Sequence, residues 1–316
     1  MSEYYLGVDL GGTKILTALV NGRGQVLQRA RIATPAGGPE DVVAAIVATV
    51  HDVTHQAHLE AGAVRGIGVG APGPMDPETG VVFEPPNLPG WRDVPLGAML
   101  TVRLGMPAFV ENDANAAALG ERWAGAGAGI DDLIYMTVST GIGGGLILNG
   151  DLYHGVSGTA GEVGHMVIDP RGPRCPCGRT GCLEAIASGT SIARDAREAV
   201  RAGRPTALAA LAPGDLDAAA VARAAHDGDP VAREIYARAA SALGTGIANL
   251  VNLLNPAMVI IGGGVARAGD LIFAPVRRIV RQEVFERPGA AVQIVPALLG
   301  DDVGAVGAAA VAKARA

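Results

Sequence analysis

Cysteine is nearly absent: the chain has 3 in 316 residues, an odd number that cannot form a closed set of disulfides. All of them fall in one stretch, His165 to Ala185, HMVIDPRGPRCPCGRTGCLEA. No cationic segment followed by an apolar one precedes Tyr4, so the expectation is a reduced, cytoplasmic protein. An excess of positive charge is missing too. Lys and Arg number 25 against 31 Asp and Glu, and the basic residues are scattered, which excludes the electrostatic footprint of a nucleic-acid partner. Uninterrupted membrane spans are lacking as well: the charge-free stretches Ala239–Ala266 and Leu133–Gly150 are broken by Asn249, Asn252, Asn255 and Pro256 in the first and by STGIGGG in the second. No Walker sequence G-x-x-x-x-G-K-S/T occurs.

What is present is a chain with 49% apolar residues, long enough to bury a sizeable core in two lobes. YYLGVDLGGTKILTALVNGRGQVLQRARIA reads as three strands joined by a Gly-Gly turn and by Asn21-Gly22. A helix from about Pro39 to Leu59 and a strand near Gly66–Gly70 follow, then a strand at Ala108–Val110 and a helix that Asp113 could cap. The pattern starts again at DLIYMTVSTGIGGGLILNGDLY, with HMVID expected as a short third strand. Helices are expected near Leu183–Ala202, at Leu216–His226 and in a long segment ending by Leu254. The strand AMVII, a helix at Asp270–Phe285, the strand AVQIVPAL and a helix from Val303 complete the chain. Two β-β-β-α-β-α units in succession imply a duplicated α/β fold, two lobes around a cleft.

Gly68, Gly70 and Gly73 in GVGAPG satisfy the dinucleotide pattern G-x-G-x-x-G, but Pro72 and Pro74 forbid the helix that pattern needs, so it is a decoy. DLGGTK (residues 9–14) and STGIGGG (139–145) differ in kind, because each forms a turn between paired strands where bare backbone N–H groups can approach phosphate oxygens. Either one alone reads equally well as an ordinary hairpin.

DLGGTK, STGIGGG and VIIGGGVA, in this order, resemble the phosphate-1, phosphate-2 and adenosine motifs of the sugar-kinase, actin and Hsp70 superfamily. GEVGH, the C-x-C-x4-C loop and CLEAIASG are similar to the ROK family of repressors, open reading frames and kinases, and to its glucokinase branch. The resemblance implies duplicated ribonuclease H-like (actin-like ATPase) domains, with lobes at 1–118 plus 302–316 and at 119–301. It implies ATP-dependent phosphorylation of the glucose 6-hydroxyl by a homo-oligomer, dimer or tetramer. Mannose, fructose, N-acetylmannosamine or N-acetylglucosamine are alternative substrates and polyphosphate an alternative donor. A non-catalytic sugar sensor is the alternative of another class. The family's repressors carry an N-terminal DNA-binding extension, for which a first strand at Tyr4 leaves no room.

On this resemblance Asp113 is the catalytic base, a role that phosphoryl transfer to a hydroxyl requires, although the residue alone reads equally well as a helix cap. Asn87, Asn112, Asp113, Glu162, His165 and Glu184 match sugar-binding positions, Asn87 more weakly, since PPNLPGW reads equally as a loop anchored by Trp91. Glu111 is expected to be structural. Gly11, Gly12, Thr13, Lys14, Thr140 and Gly141 are expected near the phosphates and Gly263 and Gly264 near the nucleoside. Asp9 is the carboxylate expected nearest a Mg2+ held mainly by phosphates and water. His165 with Cys175, Cys177 and Cys182 supplies the four ligands of a closed, structural Zn2+ site, against the reading of a redox or merely buried cluster. With one ring nitrogen on zinc, His165 could turn the other toward sugar. His51, His55 and His58, at helical spacing, are expected to be a polar helix face.

Overall fold

The computed structural model describes residues 3–59, 62–85 and 87–316. The chain forms two compact units, Met1–Ile130 with Gly145–Ala160 and Leu298–Ala316, and Asp131–Gly144 with Gly161–Ala297. The first begins with the antiparallel meander β1 (Tyr4–Leu10), β2 (Lys14–Asn21) and β3 (Val26–Ala33). Helix α1 (Pro39–Gln56) leads to β4 (Val64–Ala71), parallel to β1. A small hairpin of β5 (Met75–Asp76) and β6 (Val81–Val82) precedes α2 (Leu96–Leu104). Strand β7 (Ala108–Asn112), parallel to β4, runs directly into α3 (Asp113–Ala124). The sheet order is β3-β2-β1-β4-β7.

The second unit repeats this plan. Strands β8 (Leu133–Val138), β9 (Ile142–Leu148) and β10 (Asp151–Leu152) come first, the chain from Gly145 to Ala160 clustering with the first unit. Helices α4 (Leu183–Ala187), α5 (Gly189–Arg201), α6 (Ala218–His226) and α7 (Pro230–Leu254) follow. Then come β11 (Met258–Gly262), α8 (Asp270–Glu283), α9 (Glu286–Ala291) and β12 (Gln293–Pro296), with β11 parallel to both β8 and β12. The order β10-β9-β8-β11-β12 matches that of the first sheet, strand for strand. Helix α10 (Val303–Arg315) returns to the first unit.

Three expectations change. HMVID is not a strand: Val167 makes only an isolated bridge to Cys182, and its backbone neighbours bond to the cysteine loop, Ile168 N–H to Gly181 at 2.8 Å. The third strand is β10. The helix expected over Leu183–Ala202 breaks at Ser188, whose hydroxyl accepts from Ser191 N–H and caps α5. The boundary expected at residue 118 falls inside α3, which packs along α10 and stays whole within the first unit.

Strand alternation decides what each face of the first sheet packs against. Leu6, Val8 and Leu10 of β1, with Ile67 and Val69 of β4, point into a core with Val43, Ile46 and Val50 of α1 and Leu96 and Leu100 of α2. The other face belongs to α10, through Ala305, Val306, Ala309 and Ala312. There β1 presents Gly7 and β4 presents Gly68, and a Cβ on either would meet an α10 carbonyl oxygen, that of Ala305 or Ala308. Gly68 and Gly70 of the dinucleotide decoy are therefore spacing for packed helices, Gly68 for α10 and Gly70 for α3, and not the phosphate loop that Pro72 and Pro74 exclude. Overpacking by one methyl costs about 1–3 kcal/mol. Gly68→Ala should accordingly unfold several degrees below the parent in a thermal scan, and an unchanged midpoint would contradict so close a seat for α10.

Candidate active site

In the first unit, the turn after β1 is closed by Gly11 N–H donating to Lys14 O at 2.9 Å and tied to the end of β3 by Thr34 Oγ1 donating to Gly11 O at 2.6 Å. Gly12 and Thr13 are left exposed at its tip. Asn87 lies against this turn: a Cβ on Gly12 would stand 2.5 Å from its carbonyl oxygen. Trp91 is buried in the core and anchors this loop, while Pro86 lies outside the described residues. Asp9 lies on the α10 face of β1, its carboxylate against Gly304 in the first turn of α10 and 3.5 Å from Lys14 Nζ. Burial raises its pKa above the ordinary carboxylate range, and Lys14 opposes that shift only in part.

Asp113 is the first residue of α3, and the expected cap shifts by one position. Asn112 is the cap, its Oδ1 accepting from Ala114 N–H at 3.0 Å and Asn115 N–H at 3.2 Å. Asp113 Oδ1 accepts from Ala114 N–H at 2.8 Å, which places its negative charge at the positive end of the helix dipole. Asn112 thus spends its oxygen on the helix and keeps its NH2 as a donor for a ligand. Glu111 is buried and structural, as expected, and its partner is His154, with Oε2 2.7 Å from His154 Nε2. No sequence pattern linked these two.

In the second unit, the turn at Ser139–Gly141 is docked on the start of α5: Gly189 N–H donates to Ser139 O at 2.7 Å and Thr190 Oγ1 to Thr140 O at 2.8 Å. Glu184 on α4 accepts from Ile142 N–H at 2.9 Å, so one of its oxygens belongs to this turn. Thr140 and Gly264 line a cavity of about 440 Å3, a size suited to a small ligand, together with Thr190, Arg197, Leu216 and Asp217. Sequence reasoning missed those last four, which carry no motif. Gly141 and Gly263 are not in the lining. Gly263 has φ +85° and backs onto the Val138 backbone, a close approach that requires glycine.

His165, Cys175, Cys177 and Cys182 come together, each offering one ligand atom within 4.8 Å of all the others. His165 Nδ1 is 3.7 Å from Cys175 Sγ, and Cys177 Sγ is 3.7 Å from Cys182 Sγ. Tetrahedral zinc with Zn–S bonds of about 2.3 Å has S···S edges of roughly 3.8 Å, so the spacing fits. Burial pushes the Cys182 thiol up to about 12, whereas the Arg179 backbone N–H lowers that of Cys177. A divalent cation supplies the charge that holds such a set as thiolates. Because Nδ1 faces the sulfurs, Nε2 of His165 turns toward Glu162, 3.9 Å from its Oε2. His51 and His55 are exposed on α1 and His58 lies beyond its end at φ 51°. Among the described residues the Cys3His group is the one cluster able to hold a metal in this way.

Two units repeating one strand order, each with a glycine turn after its first strand, define an actin-like ATPase fold. A ROK family glucokinase from Streptomyces griseus, solved with glucose and AMPPNP, superimposes with a TM-score of 0.83 at 37% identity, over 98% of this chain and 99% of that one. The ROK hexokinase from Thermus thermophilus gives 0.83 at 37%, over 99% and 98%. The glucokinase of Thermotoga maritima is 40% identical over 98% of this chain and 97% of its own. The ROK family model matches residues 5–315, and the chain belongs to the ROK family. Among the described residues no helix is long and apolar enough to cross a membrane.

Proposed function

We propose that this protein is a glucokinase, transferring the γ-phosphoryl group of ATP to the 6-hydroxyl of glucose. The observation that carries the reading is its likeness to glucokinases along nearly the whole chain, 40% identical to that of Thermotoga maritima. Asp113 is assigned as the base that takes the proton of the 6-hydroxyl as that oxygen bonds to the γ-phosphorus and the bridging oxygen leaves with ADP. Asn87, Asn112, Glu162, His165 and Glu184 are assigned to hexose hydroxyls, which both donate and accept. Asn112 donates, since its oxygen caps α3, and Glu184 accepts through the oxygen that Ile142 leaves unused. The glycine turn with Thr13 and Lys14 serves the terminal phosphates, as do Thr140 and Gly141. Gly264 and the cavity beside it serve the nucleoside, Gly263 supporting from behind.

Magnesium bound with ATP supplies charge neutralisation, with Asp9 the carboxylate placed to approach it. Zinc in the Cys3His cluster supplies no reacting group. It holds His165, with Nε2 turned outward, and Cys182, two residues ahead of Glu184.

Asp113→Asn removes the base and keeps the shape, so kcat in a coupled kinase assay should fall by about 10^2 to 10^4 while glucose affinity by calorimetry changes little. Near-normal turnover would sink the assignment. The same assay run over mannose, fructose and the N-acetylated hexosamines ranks the sugars by kcat/KM. Cys177→Ala should lower zinc content by elemental analysis and weaken glucose binding by about 10-fold to 100-fold, more than it weakens ATP binding. Zinc loss with unchanged glucose affinity would reduce the cluster to scaffolding.

A further inference from the structure

Glu111, next to last in β7, has its carboxylate out of solvent and three donors around it. Its Oε1 accepts from Asn112 N–H and from Asn115 Nδ2, both at 3.0 Å, and its Oε2 stands 2.7 Å from His154 Nε2. The first two bonds span the junction between β7 and α3. One reaches the residue that caps the helix, and the other a residue in its first turn. Asn115 is buried and its Oδ1 has no partner, so the bond to Glu111 is what orients its amide. Turning that amide over would bring two oxygens together.

We infer that His154 is a positioning residue for the reaction: by donating to Glu111 it holds the carboxylate clamp that fixes the turn carrying Asn112 and Asp113. This rests on the reading of Asp113 as the base. A buried carboxylate deprived of one of three donors is left with uncompensated charge, and rotates or draws in water to recover it. Either movement loosens the strand-to-helix turn and the direction of Asp113. A misplacement of about 1 Å costs on the order of 100-fold in rate.

His154 can make this bond charged or neutral, and the charged form makes the stronger one. The groups facing it are Glu111 from β7, Glu78 from the loop between β5 and β6, and Arg315 from α10, the last two 3.7 Å apart. The hydrogen bond to Glu111 raises the pKa of His154 above its ordinary value, burial and Arg315 pull it down, and Glu78 adds to the rise. The sign follows. A raised histidine contributes fully below its unfolded pKa, and the contribution weakens as pH rises through the folded one. The clamp is tightest on the acid side of that value.

The test compares kcat against pH for the parent protein, His154→Leu, His154→Gln and Asp113→Asn. His154→Leu should lower kcat by about 10-fold to 100-fold with little change in KM for ATP. His154→Gln, which keeps an N–H donor but cannot titrate, should recover much of that loss and lack the parent's alkaline decline. Imidazole NMR should show His154 titrating lower in Glu111→Gln than in the parent. Parent-like kcat and pH profile in His154→Leu overturn the proposal. If that variant folds poorly, His154→Gln decides alone, and an alkaline limb identical to the parent's overturns it. Lost turnover in Asp113→Asn beside normal turnover in His154→Leu refutes the positioning and spares the base. Normal turnover in Asp113→Asn removes the base, and this inference with it.

Discussion

The approach of α10 to the first sheet is the contact on which the first unit depends. Aromatic residues make up only 3% of the chain, and this face of the sheet is closed by bringing backbones together rather than by filling space with large side chains. Gly7 and Gly68 admit α10 onto β1 and β4, and Gly120 of α3 sits against Gly307 of α10, where a Cβ would be 2.8 Å from the backbone. Gly70, the next residue on the same face of β4, would place its Cβ 3.7 Å from the Cα of Asp113. The strand glycines thus set the height at which α10 and α3 ride, and with it where the first residue of α3 stands. Asp9 is positioned by the same contact, at the first turn of α10.

In the second unit the equivalent task falls to hydrogen bonds and sulfur. The turn at Ser139–Gly141 is stapled to the start of α5 by Gly189 and Thr190 and to α4 by Glu184. α4 begins right after Cys182, and Leu183 N–H donates to Met166 O at 2.9 Å, one residue beyond His165. A short path of covalent and hydrogen bonds therefore joins the Cys3His cluster to the turn at Ser139–Gly141, with Glu184 as the shared residue.

Much of this was legible in the sequence because it is written in turns. DLGGTK and STGIGGG sit on strand-to-strand turns as their glycines require, and the gathering of three cysteines with His165 is what the family resemblance implied and suits the ligand chemistry of zinc. The misses have physical causes. Asn112 and Asp113 are both good caps, and only the backbone at the end of β7 decides which oxygen reaches the helix N–H groups. HMVID alternates like a strand, but its edge is taken by the cysteine loop. Thr190 and Arg197, two turns apart on α5, and Leu216 and Asp217, just ahead of α6, line the same cavity, and nothing in the sequence ties one pair to the other. Glu111 and His154, 43 residues apart, meet only once β10 has turned back.

Three acidic side chains withdrawn from solvent in the first unit show how its charges divide between structure and chemistry. Glu121 is fully buried and satisfied by backbone: Ala126, Leu298 and Leu299 N–H donate to it, pinning the point where the chain returns to this unit. Glu111 combines one backbone N–H with two side chains, one of them titratable. Asp9 has Lys14 at 3.5 Å against a desolvation that raises its pKa, and no backbone N–H among its described partners. A carboxylate met by N–H dipoles has its charge balanced within the fold. One met mainly by desolvation gains when a cation arrives, because the cation offsets what burial costs the charged form. Glu121 therefore belongs to folding, Glu111 to the posture of α3, and Asp9 to the metal-bound nucleotide of the proposed reaction.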